Sequence, residues 1–68
     1  MATLTIHHDD DLAVVAEITT IAVGQGGTDV DATEAGVTTV VFPAEPAARN
    51  VAGVLAQATV VTGITIEP

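Results

Sequence analysis

His7-His8-Asp9-Asp10-Asp11 is the one run in this chain whose residue types could carry chemistry. Imidazole beside carboxylate suits a divalent metal ion. Successive residues of an extended segment point to alternate sides, however, so one strand cannot aim all five at one ion. A metal pair would have to be His8 with Asp10, or His7 with Asp9. The stronger reading of the acidic turn is a helix start. A carboxylate there accepts the helix's orphan N–H groups and suits the positive end of its dipole.

The remaining chemical candidates are weaker. Gly24-Gln25-Gly26-Gly27 resembles a phosphate loop in composition, but it follows a helix instead of opening one, so no helix N-terminus faces a phosphate. Those glycines are better suited to ending the helix, one of them in the left-handed position after it. Arg49 is the only cation besides the two histidines, and it is expected to pair with Glu45 one turn earlier. Ser, Cys and Lys are absent and the histidines are adjacent, so there is no nucleophile–base pair. The chain reads as a non-enzyme with no cofactor.

Composition narrows the partners. The formal net charge is −8, with one Arg and a single aromatic, Phe42. Nucleic-acid binding needs a basic groove and stacking platforms, and both are missing. An anionic membrane surface would repel the chain, and no apolar run approaches the roughly 20 residues of a membrane span. Met1 leads straight into a strand without a basic n-region or an apolar h-region, so a cytoplasmic setting is expected. Hydrophobic residues make up 49% of the chain, too many for disorder. Ser, Lys, Tyr, Trp and Cys are all missing, whereas Thr occurs eleven times. A salt-adapted cytoplasm favours acids over Lys but gives no reason to lose every Ser; a reduced alphabet chosen by a designer accounts for both.

Sixty-eight residues make one domain, residues 1–68. Ala2–Ile6 alternates Thr with Leu and Ile, the period of a half-buried strand, and His7–Asp10 reads as its exit turn. A first helix is expected over about Asp11–Val23, burying Val14, Val15, Ile18, Ile21 and Ala22. Thr28–Glu34 and Val37–Phe42 form a hairpin reversed at Ala35-Gly36. Pro46 sits in the first turn of a second helix, about Ala44–Gln57, which buries Ala47, Val51, Val54, Leu55 and Ala58. Thr59–Glu67 is the last strand, with Gly63 expected to mark a bulge or a point of close backbone approach.

The order β-α-β-β-α-β predicts an α+β ferredoxin-like sandwich. It has a four-stranded antiparallel sheet, order 4-1-3-2, with two helices on one face. The first and third strands, central in that order, are expected to run parallel. Thr3, Thr5, Thr39 and Thr65 are assigned to the bare face. Asp29 and Asp31 guard an edge strand against pairing. One bare face and two edges predict self-association, as a homodimer or larger assembly.

Asp10-Asp11-Leu12-Ala13-Val14-Val15-Ala16-Glu17-Ile18 resembles the opening signature of ACT domains. Gly26-Gly27-Thr28-Asp29-Val30 falls where that family begins its second strand, and Val51–Ile66 resembles its last helix and strand. The resemblance implies a regulatory module that binds an amino acid or similar small molecule at the first strand–helix turn of a dimer. Carried over by position, the ligand site is His8, Asp10, Asp11, Leu12, Ala13 and Val14, with Asp29 and Val30 contributing across the interface. The chain departs from that pattern at Ala13, where the family has a ligand-contacting Gly. A methyl group there obstructs the backbone amides, and three aspartates repel a ligand carboxylate.

Overall fold

The computed structural model describes all 68 residues. Its elements are β1 (Ala2–His8), α1 (Leu12–Gly24), β2 (Thr28–Asp31), β3 (Val37–Phe42), α2 (Glu45–Leu55) and β4 (Val61–Glu67). They form a four-stranded antiparallel sheet in the order β2-β3-β1-β4, the expected arrangement read from its other edge. Both helices cover one face, as in the ferredoxin-like α+β fold.

The central pair corrects an expectation. β1 and β3 run antiparallel, with Ala2 opposite Phe42 and His7 opposite Val37. The α1 crossover brings β2 back in the direction of β1, and the β2–β3 hairpin then reverses the chain. β3 must therefore oppose β1.

The core lies between sheet and helices. Ala2, Leu4 and Ile6 of β1 meet Val40 and Phe42 of β3. Val14, Ile18 and Ala22 of α1, and Ala48, Val51 and Leu55 of α2, close over them. Apolar side chains recur at three- and four-residue spacing on both helices, which is what turns one face of each to the sheet. α2 is rotated slightly from the expected wheel: Ala48 is buried, whereas Val54 stays 57% exposed. On α1, Val15 and Ile21 are only half-buried. Thr3, Thr5, Thr39 and Thr65 occupy the open face; Thr39, Thr5 and Thr65 lie side by side in one row across three strands.

Local chemistry sets the boundaries. Asp11 caps α1, its carboxylate accepting the Ala13 N–H at 2.8 Å. α1 ends in a Schellman arrangement: Gly26, at φ 95°, donates to the Val23 carbonyl, and Gly27 donates to that of Ala22. β1 runs on through His7 and His8, which belong to the strand and not to its exit turn. β2 stops at Asp31, short of the expected Glu34, because the Asp31 carboxylate folds back onto the Thr33 N–H (3.0 Å) and hydroxyl (2.8 Å). α2 and β4 start and end within a few residues of expectation, with Ala44 as an N-cap that has no side-chain bond to offer. The irregularity in β4 falls between Val61 and Gly63, opposite His8 and His7.

Glycine positions separate sharply by environment. A Cβ on Gly27 would stand 2.6 Å from Val40 Cγ1 and 2.8 Å from the Ala22 carbonyl oxygen, whereas one on Gly53 of α2 meets nothing within 4 Å. In urea denaturation, Gly27→Ala should destabilise by about 1–3 kcal/mol through overpacking. Gly53→Ala should stabilise by about 0.5–1 kcal/mol through helix propensity.

Candidate functional site

The end of β1 and the start of α1 form a tightly tied junction. The His8 N–H donates to the Gly36 carbonyl of the β2–β3 turn, and the Asp9 N–H to the Val60 carbonyl ahead of β4, each at 2.9 Å. The first turn is thus anchored to both halves of the chain.

His8 is 6% exposed, on the helix-facing side of the sheet, and its ring is fully engaged. Nδ1 lies 2.8 Å from the Asp9 carbonyl oxygen, and Nε2 lies 2.8 Å from the Thr38 hydroxyl. A carbonyl oxygen only accepts, so in the neutral ring the proton sits on Nδ1 and Nε2 takes the hydroxyl proton. Thr38 is itself fully buried on β3. This pair answers the requirement that buried polar groups find partners, and it leaves His8 no free nitrogen for a ligand.

The other residues assigned to the turn disperse. His7 points to the open sheet face and Asp10 is exposed, so neither shares a ligand with His8. Asp11 is occupied by its capping bond to Ala13. Leu12 is 87% exposed, and Val14 is turned into the core. Asp29 and Val30 lie two strands from β1. Their flanking residues, Thr28 and Asp31, reach the register of Thr3 and Thr5 through Val41 and Thr39, well short of His8. Val30 packs against the core, and Asp29 sits at φ 49° in an irregular stretch of β2. Within one chain, therefore, the assigned residues do not converge on a common space. No group of three or more His, Asp and Glu side chains is placed to hold a metal ion. Arg49 is bound to Glu45 at 2.7 Å, as its spacing predicts.

What the turn does lead into is a cleft. Where the first turns of α1 face the C-terminal end of α2 and the segment before β4, a hollow of about 240 Å³ opens. Val14, Ile18 and Ile21 line it from one side, and Val54 and Val60 from the other. Glu17 and Gln57 are its polar members. Of the residues assigned from sequence, only Val14 contributes. Val54, which its helical spacing predicts for the core, lines the cleft instead. The signal that could have found the cleft is the surplus of aliphatic side chains over what one small core can take.

The chain matches no family model, no curated protein and no solved structure. Its class therefore rests on the fold alone: a ferredoxin-like α+β domain. No helix is long and apolar enough to cross a membrane.

Two measurements test this geometry. Thr38→Val strips His8 Nε2 of its partner and should cost about 1–3 kcal/mol. A His8→Leu/Thr38→Val double variant, which removes both polar groups, should recover part of that loss in a double-mutant cycle. On the exposed hairpin, the Thr33 N–H and hydroxyl hold the Asp31 carboxyl below its ordinary value of 3.8. The bonds that favour the charged form therefore stabilise the fold above that value, and the contribution is lost as pH falls through the lowered folded-state value. An NMR titration should place the Asp31 midpoint below 3.8, and Thr33→Ala should move it back up.

Proposed function

We propose that the chain is a non-catalytic binding module for a small, largely apolar molecule carrying a basic group. The ligand occupies the cleft between α1 and α2 that begins at Val14. The observation that carries this reading is the cleft itself: eight of its ten lining residues are hydrophobic, with an acid, Glu17, beside them. Ligand sites combine an apolar lining with a few polar groups that fix orientation. At about 240 Å³ the hollow is smaller than the roughly 300–1,000 Å³ of drug-sized sites, so the ligand is correspondingly small. The surrounding −8 charge disfavours a carboxylate and favours an amine.

This keeps the regulatory, small-molecule role implied by the resemblance to ACT domains but moves the ligand. In the turn, the Asp11 carboxylate caps α1 and the His8 and Asp9 amides bond to the Gly36 and Val60 carbonyls, whereas the helix–helix cleft, unlike the wider groove beside β4, sets an acid against its apolar lining. A second reading, a reduced-alphabet acidic scaffold with no biochemical activity, is favoured by one observation: five residue types are missing while threonine recurs eleven times.

Amide chemical-shift mapping with short alkylamines and the matching alkyl carboxylates separates the two. The module predicts saturable shifts at Val14, Ile18, Ile21, Val54 and Val60 for the amines only. Glu17→Gln should weaken amine binding by about 0.2–1 kcal/mol, the worth of an exposed ion pair, and Ala58→Leu should fill the cleft and abolish it. Stabilisation by salt alone, through screening of the net charge, with no saturable shifts, would leave the scaffold.

A further inference from the structure

The two edges of the sheet are built differently. At one edge, β2 spans only Thr28–Asp31, carries two aspartates, holds Asp29 at φ 49° and is out of regular register with β3. Short length, charge and irregularity are the devices by which natural edges avoid pairing. At the other edge, β4 has them only at its ends, an irregularity in its first residues and the charge of Glu67 at its last. After the irregularity at Thr62 it runs in unbroken register with β1, from Gly63 opposite His7 to Glu67 opposite Thr3. No charge and no proline interrupts Gly63–Ile66. Its outer row of backbone N–H and C=O groups faces no other strand.

Beside that free edge the helix layer stops short. An open groove of about 480 Å³ runs between α2 and β4, floored by Ile64 and Ile66 and walled by Ala52, Gly53 and Ala56. Both isoleucines remain half-exposed, although they stand on the same side of the sheet as the fully buried Leu4 and Ile6 opposite them.

We infer that β4 is the edge at which two copies of this chain join, antiparallel about a two-fold axis at Thr65, to give a continuous eight-stranded sheet. The strand is self-complementary in that register. Ile64 of one copy faces Ile66 of the other on the helix side, extending the core beneath the small residues of α2. Thr65 faces Thr65 on the open side, a favourable cross-strand pair. Glu67 faces Gly63, so no like charges meet. Of the nine acids, all but Glu67 lie elsewhere: in the β1–α1 turn, on α1, along β2 and its following loop, and at the start of α2 where Glu45 is paired. The centre of the contact strip, Ile64–Ile66, is thus neutral on a molecule of net charge −8, with Glu67 only at its outer ends. Long-range repulsion between copies is screened by salt over a Debye length of about 10 Å at 0.1 M, so salt strengthens the pairing. This inference goes beyond the ligand reading and stands whether or not the cleft between the helices is occupied.

Sedimentation equilibrium across a concentration and salt series tests it. The unaltered chain should approach twice its 6.8 kDa mass, at lower concentration as salt rises. Thr65→Asp brings two carboxylates face to face on an exposed position and should weaken the dimer at least about tenfold, with circular dichroism confirming that the fold is kept. Thr65→Arg should do the same alone, and an equimolar mixture of the two variants should restore the dimer. Thr39→Arg lies on the same sheet face away from the edge and should leave the mass unchanged. A mass of 6.8 kDa for the unaltered chain at millimolar concentration and high salt would overturn the inference. So would a dimer that survives Thr65→Asp but is lost on Thr39→Arg, which would indicate face-to-face stacking of sheets.

Discussion

The inner face of β1 is the constraint on which the rest of the fold depends. Ala2, Leu4, Ile6 and His8 all point into the core, and β1 is one of the two internal strands, the one that joins β3 to β4. A domain of this size buries only about 60% of the surface its unfolded chain exposes, so it has little apolar area to spare. Of these four inward positions, Leu4 and Ile6 are shouldered by strands on both sides, Ala2 by Phe42 of β3 and His8 by Val61 of β4. Three are filled by aliphatic groups. The fourth, His8, is accommodated by a bond to the equally buried Thr38, and both polar groups are satisfied without water. That bond crosses between β1 and β3 at the point where the sheet hands over to the first helix. It fixes the junction as firmly as a packed side chain would, but with directional chemistry.

Much of the architecture was legible in the sequence because two periodicities separate cleanly. The alternation of Thr with Leu and Ile in Ala2–Ile6 specifies a two-sided strand, and the wheel of Val14, Ile18 and Ala22 specifies a helix on a sheet. An aspartate cap, a left-handed glycine after α1 and the Arg49–Glu45 pair follow from local rules that tertiary context did not override, and the structure gives the first two roles to Asp11 and Gly26. The misses have physical reasons. The direction of β3 relative to β1 is a property of the connections, not of any residue pattern. β2 ended early because Asp31 prefers its own turn to the ladder. The rotation of α2, which buries Ala48 and leaves Val54 outside, depends on how closely small residues let a helix approach the sheet.

The candidate site was less legible than the fold. Residues that looked reactive in a row (two histidines and three aspartates) are divided by strand geometry between core, cap and solvent. Capping consumed Asp11 and burial consumed His8, so the polar run builds the junction and not a pocket. The cleft instead draws on aliphatic residues from α1, α2 and the approach to β4, which are distant in sequence and individually unremarkable. A site of that kind has no local motif. It exists because two helices with short side chains cannot close completely over one sheet.

The pairing of β1 with β4 has a consequence for the order of assembly. β2 and β3 are joined by a short turn and can meet within microseconds as a local hairpin. The β4 partner of Leu4, by contrast, is Ile66, separated from it by nearly the whole length of the domain. Closing so long a loop has to be compensated by contacts already made. The central strand therefore waits for the last one. During synthesis, the inner face of β1 would remain half-covered until β4 has left the ribosome, and the domain would form as a whole only at that moment.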